Sequence, residues 1–159
     1  MTHIKRRIVN ALVAAAVGAT SVVALAVPAE AANLGSALTR DEGMHVGDYI
    51  QRSTASGLVR LTLQGDGNLV LSLINANTGA QIKACWGAAT NPLGNYAVYQ
   101  ADGNFVVYSG TFYDPNHPNG YRYALWGSNT YGLRGETVDI NANGVLYVGY
   151  TAVTPACRL

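Results

Sequence analysis

Gln100-Ala101-Asp102-Gly103-Asn104-Phe105-Val106-Val107-Tyr108 is the stretch whose reading decides the fold. Every second residue gives Gln100, Asp102, Asn104, Val106 and Tyr108, and between them stand Ala101, Gly103, Phe105 and Val107. A strand points alternate side chains to opposite faces. One face would carry amide, carboxylate, amide, a small apolar group and a phenol, and the other ends in two apolar residues suited to a core. Fixed donors and acceptors beside one apolar contact suit a polyhydroxylated ligand better than bond-breaking chemistry.

The stretch has copies. Gln64 to Ser72 (64-72) repeats Gln64, Asp66, Asn68 and Val70 and carries Ser72 where the stretch at 100-108 has Tyr108, at an offset of 100 − 64 = 36 residues. A third, more altered copy is read at 139-147, offset 139 − 100 = 39, with Asp139 for Gln, Asn141 for Asp, and Asn143, Val145 and Tyr147 kept. The flanks recur as well, as Cys85-Trp86-Gly87-Ala88-Ala89-Thr90 and Leu125-Trp126-Gly127-Ser128-Asn129-Thr130. Copies at nearly constant spacing indicate three related units. Short runs of Val, Leu, Ile and Tyr, broken by Asn, Asp and most of the 18 glycines, make the chain all-β. A unit of this length holds about four short strands and cannot bury an apolar face alone. Three units about a common axis can, with Trp86 and Trp126 filling the middle. Gly110 to Tyr123 lengthens the second unit, and its turn formers predict an exposed loop.

Lys5-Arg6-Arg7, a mostly apolar run from Ile8 to Val27 and small residues before Ala31 are the parts of a secretory signal peptide, so residues 1-31 are read as a cleaved leader. A retained anchor is the alternative reading of the apolar run. The remaining domain, 32-159, holds 10 − 3 = 7 basic and 9 − 1 = 8 acidic residues, a formal charge of about −1. It has no Lys/Arg cluster, which argues against nucleic acid and anionic membrane as partners, and no membrane insertion of the mature chain is expected. Cys85 and Cys157 form an even pair in an exported chain, which predicts a disulfide; two unpaired buried thiols are the alternative. Two distant cysteines with His45 and His117 offer no metal set, and no cofactor is implied.

With these residues in place, Gln100-x-Asp102-x-Asn104-x-Val106-x-Tyr108 resembles the Q-x-D-x-N-x-V-x-Y signature of the bulb-type mannose-binding (snowdrop-lectin-like, B-lectin) family. Trp126-Gly127-Ser128-Asn129-Thr130 resembles that family's W-A-x-N-T segment, and Gly47-Asp48-Tyr49-Ile50 its opening G-x-Y-L. The resemblance implies β-prism II: three four-stranded sheets with pseudo-threefold symmetry and one potential mannose pocket per unit. It also implies that Gln, Asp, Asn and Tyr bind sugar hydroxyls while Val packs against the ring. On that basis Gln100, Asp102, Asn104, Val106 and Tyr108 form the main site. Gln64, Asp66, Asn68 and Val70 form a weaker one, or one completed by another residue, and Asn143, Val145 and Tyr147 a degenerate one.

The function expected is therefore a secreted, extracellular, non-catalytic protein recognising mannose or mannose-bearing glycans, with several sites or a homo-oligomer supplying avidity. An enzyme is disfavoured because Asp66 and Asp102 belong to separate units and neither histidine lies in a nucleophile motif. The alternative is a protein-interaction or bacteriocin/defence-type module with degenerate sugar sites.

Overall fold

The computed structural model describes residues 31–159 except 111, 115 and 116. Apart from Ala31, the leader lies outside the described residues. In chain order the strands are β1 (Ala37–Thr39), β2 (Gly43–His45), β3 (Tyr49–Thr54), β4 (Gly57–Leu63), β5 (Leu69–Ile74), β6 (Gln81–Gly87) and β7 (Gly94–Tyr99). They continue as β8 (Phe105–Ser109), β9 (Phe112–Asp114), β10 (His117–Tyr121), β11 (Ala124–Gly127), β12 (Thr137–Ile140), β13 (Leu146–Val148) and β14 (Thr151–Ala152).

Three four-stranded sheets result, in the orders β3-β4-β5-β6, β2-β7-β8-β11 and β1-β12-β13-β14, with every pairing antiparallel. The fold class is all-β as read. The segment Gly110 to Tyr123, expected as a loop, instead contains the two-stranded β9-β10 ribbon. Only the first sheet is a run of neighbours in sequence. One outer strand of each of the other two comes from the N-terminal segment, so β1, β2 and β3 each enter a different sheet.

Period-two patterning sets the faces. In β4, Val59, Leu61 and Leu63 are buried while Leu58, Arg60 and Thr62 are half-buried. Leu38, Met44 and Ile50, one from each N-terminal strand, join Leu61, Leu71, Phe105, Val107, Ile140 and Leu146 in a single core shared by all three sheets. Trp86 and Trp126 pack against it edge to face, ring centroids 5.3 Å apart, and Trp126 meets Phe105 at 6.3 Å. Such tilted aromatic pairs are a preferred packing geometry.

The three central hairpins close in the same way. Gln64 N donates to Asn68 O (2.8 Å) and Gly67 N to Gln64 O (2.8 Å); Gln100 N donates to Asn104 O (2.9 Å) and Gly103 N to Gln100 O (2.9 Å). In the third unit, Asn141 N donates to Val145 O (2.9 Å) and Gly144 N to Asn141 O (3.0 Å). Gly67, Gly103 and Gly144 have φ of +82°, +90° and +77°, a region glycine enters without steric cost.

Two expectations change here. Residues 100–104 are a turn, and only Phe105–Ser109 is strand, so the motif is half loop and half strand rather than one alternating strand. The third unit is also displaced by two residues from the 139-147 reading. Asn141 stands where the second unit has Gln100, Asn143 where it has Asp102, Val145 where it has Asn104, Tyr147 where it has Val106 and Gly149 where it has Tyr108. The true offset is 141 − 100 = 41. Pairing agrees: Val98 faces Val106, and Asp139 faces Tyr147, so Asp139 lies on the neighbouring strand. A slip of one residue flips every side chain, but a slip of two keeps each on its face. Alternation alone could not detect it.

Two long-range ties hold the units together. Arg40, between β1 and β2, donates from Nη1 to Ala101 O (2.6 Å) in the second turn and from Nη2 to Gly135 O (2.7 Å) ahead of β12. Its Nε pairs with Glu136 at 3.3 Å, and its guanidinium lies 5.3 Å from the Tyr99 ring centroid. Tyr99 Oη donates to the same Gly135 carbonyl at 2.9 Å. Burial pushes the Tyr99 phenol above its ordinary value; the Arg40 charge pulls it back and Glu136 pushes it further up. The second tie is the expected disulfide, Cys85 to Cys157, with Cα atoms 5.3 Å apart. Cys157 N also donates to Gly144 O (2.9 Å), so the bridge joins the third turn to β6 of the first sheet.

Candidate functional site

The second unit carries its five predicted residues on one hairpin, the β7–β8 turn and the strand that follows it. Gln100 leaves β7, and its Nε2 donates to the Tyr108 hydroxyl on β8 at 2.9 Å. That bond fixes both side chains and leaves the phenol its own proton and Gln100 its carbonyl oxygen. Asp102 Oδ1 accepts from Asn104 N (2.8 Å), an Asx turn, so one carboxylate oxygen builds the loop. Asp102 Oδ2 has no partner among the described residues.

Asn104 is oriented from behind. Its Oδ1 accepts from Ser128 Oγ (3.1 Å) and Thr130 N (3.3 Å), while Thr130 Oγ1 donates to Gly103 O (2.6 Å). Its Nδ2 donors stand beside Gly127, where a Cβ would come within 3.2 Å, and have no partner among the described residues. Ser128 and Thr130 are positioning residues that residue-by-residue reading missed, although the recurring Trp-Gly-x-x-Thr flank carries them. Val106, only 3% exposed, is a floor offering little contact area. The outward groups are thus one carbonyl, one carboxylate oxygen, one amide and one phenol, a set able to bind adjacent hydroxyls.

The first unit repeats the frame. Asp66 Oδ1 accepts from Asn68 N (2.9 Å), Asn68 Oδ1 from Thr90 N (3.1 Å), and Thr90 Oγ1 donates to Gly67 O (2.7 Å). Where Tyr108 would stand, Ser72 is too short, and Gln81 of β6 fills the gap. Gln81 Oε1 accepts from Ser72 Oγ (2.8 Å) and from Gln64 Nε2 (3.3 Å). Gln64 therefore finds an oxygen across the cleft as Gln100 does. A cleft of about 300 Å³ opens here, lined by Gln64, Asn68, Val70, Gln81 and Trp86 among others.

The third unit does not assemble Asn143, Val145 and Tyr147 as an Asn-Val-Tyr set, because of the two-residue displacement. Asn141 Oδ1 is committed to the turn, accepting from Asn143 N (2.9 Å) and Val145 N (3.0 Å). A cleft of about 310 Å³ nevertheless remains, lined by Thr137, Asp139, Asn141, Tyr147, Gly149 and Tyr150. Among the described residues no three His, Cys, Asp or Glu side chains converge as a metal site would require.

No protein-family model matches the sequence, and no curated protein matches it. Solved structures do. A Japanese Marasmius oreades lectin matches with a TM-score of 0.52 at 24% identity, over 79% of this chain and 92% of that one. Monomeric monocot mannose-binding lectins from Gastrodia elata match at 0.51 and 22%, over 76% and 98%. The mannose-specific bulb lectin of the bluebell, Scilla campanulata, matches at 0.50 and 21%, over 78% and 93%. At this level of identity the likeness establishes architecture: the chain has the β-prism II fold of these lectins.

Proposed function

We propose that the protein is a secreted, non-catalytic lectin that binds mannose or mannose-bearing glycans through its second unit. The observation that carries this reading is the geometry at Gln100, Asp102, Asn104 and Tyr108. Gln100, Asp102 and Asn104 each spend one polar atom on the protein and keep another for a ligand, and Tyr108, accepting from Gln100, keeps its hydroxyl proton to donate. An axial hydroxyl held between the Asp102 carboxylate and the Asn104 amide loses those partners when it becomes equatorial. Polar groups that a bound sugar would cover and leave unpaired reject the wrong epimer. The mannose-binding neighbours of the same fold support the sugar class, and the basic-apolar-small leader and the Cys85–Cys157 pair support export.

Asp102→Asn is the informative substitution, because an amide oxygen can still accept from Asn104 N and preserve the turn. On a glycan array and by calorimetry, the wild type is expected to bind mannosides, with affinity falling roughly tenfold or more in the variant, the scale of a hydrogen bond to a charged group. A wild type that binds no glycan overturns the reading.

A further inference from the structure

We propose that the cleft of the third unit binds a cationic ammonium group, carried by an amino sugar or by a quaternary amine, and is not a third copy of the neutral-sugar site. The displacement has removed the neutral-sugar chemistry there. Val145 stands in place of the Asn104 amide and Gly149 in place of the Tyr108 phenol, yet the cleft of about 310 Å³ persists. What lines it instead is a carboxylate between phenols.

Asp139 and Tyr147 are Cα partners across β12 and β13, so their side chains share one face as close neighbours. Tyr150 stands at the rim, 81% exposed. The half-buried Asp139 carboxylate accepts one hydrogen bond, through Oδ1 from Thr137 Oγ1 at 2.9 Å; Oδ2 has no partner among the described residues. Among the described residues no Lys or Arg lines the cleft. Arg52 reaches the strand that carries Asp139, but there it donates to the backbone oxygen of Ile140 at 3.1 Å, and Arg134 meets Tyr150 through its backbone, Tyr150 N donating to Arg134 O at 3.3 Å. A half-buried carboxylate without a basic partner gains most from a ligand that brings one. Aromatic faces attract the same charge through their quadrupoles. Asn141, its oxygen held by the turn, keeps amide hydrogens for a hydroxyl next to the cation.

This inference shares the fold with the lectin reading but none of its site residues, so each can fail alone. The test titrates the full chain with glucosamine, N-acetylglucosamine, glucose and choline at neutral pH and low salt, following Tyr147 and Tyr150 by NMR. Glucosamine or choline is expected to shift these resonances and to bind at least about tenfold more tightly than its neutral counterparts. Asp139→Asn should abolish that preference, and Tyr150→Ala, at an exposed rim position, should weaken it with the fold intact. Glucosamine alone binding identifies an ammonium that donates hydrogen bonds, and choline binding identifies an aromatic cage; either supports the proposal. Neither glucosamine nor choline binding more tightly than glucose and N-acetylglucosamine, or an Asp139→Asn variant that keeps the preference, overturns it. Loss of mannoside binding in Asp102→Asn should leave these titrations unchanged.

Discussion

The second and third units have the same backbone turn and opposite chemistry. Both close a hairpin on a left-handed glycine, Gly103 or Gly144, and both present a phenol and a carboxylate. In the second unit the carboxylate belongs to the turn itself and the amide of Asn104 is braced from behind by Ser128 and Thr130. In the third it comes from the neighbouring strand, and no amide takes the braced position. The hairpin is thus the conserved engineering element of the prism, and what it can bind depends on which residues a given register places around it.

That comparison can be broken or sharpened at several points. The largest effect is expected at Gly144→Ala, where φ is +77° and a new Cβ would lie 2.6 Å from Cys157 O. A loss of roughly 2 to 4 kcal/mol is expected in urea unfolding followed by tryptophan fluorescence. Ala142→Gly, at the position that an alignment starting at Asp139 equates with Gly103, should cost about 1 kcal/mol or less. Similar losses for the two variants would restore that alignment.

Arg40→Met comes next, since it frees the carbonyl of Ala101 and leaves that of Gly135 with Tyr99 Oη alone. About 1 to 3 kcal/mol of stability should be lost, and mannoside affinity in the second unit should fall with it. Unchanged affinity would mean that the Asp102 turn supports itself. Gln81→Ala tests whether the first unit has regained what Ser72 gave up. Binding there should weaken by roughly five- to tenfold with little change in unfolding, and an unaffected first site would leave Gln81 a bystander.

The smallest effect is alkaline. The Tyr99 value is raised in the folded protein above the ordinary 10.0 of an unfolded chain. The unfolded state therefore loses its proton first, and stability present below pH 10 declines as pH rises through the folded value. Tyr99→Phe should flatten that decline. An equal alkaline slope in both proteins would assign it to other groups.

Much of this was legible in the sequence because it rests on local periodicity. The three units and the all-β class follow from repeats and alternation, and the bridge follows from an even cysteine count; Trp86 and Trp126, expected to fill the middle, are half-buried and pack against the core, with Trp86 also lining the first cleft. The register of the third unit was hidden because Asp139, Asn141, Asn143, Val145 and Tyr147 all lie on one face under either alignment. Anchoring on Asp102-Gly103 and Asn143-Gly144, where a left-handed turn demands glycine, would have resolved it. Gln81 was invisible for another reason: it reaches the first cleft across a strand pairing, and its own neighbourhood has no motif. Only the gap left by Ser72 hinted that something had to stand there.

The distribution of β1, β2 and β3 among three sheets also sets an order of assembly. The β3–β6 sheet can zip from neighbours in sequence. β2 must wait for β7, and β1 for β12, about a hundred residues downstream. Contacts of such range slow folding and leave open strand edges in the meantime. The lining of each cleft nevertheless comes from one local stretch, residues 64–87 in the first unit and residues 137–150 in the third, so both can take shape before the N-terminal strands dock. A ligand captured by either cleft would report a formed hairpin, and the late docking of β1 and β2 would go unseen by it.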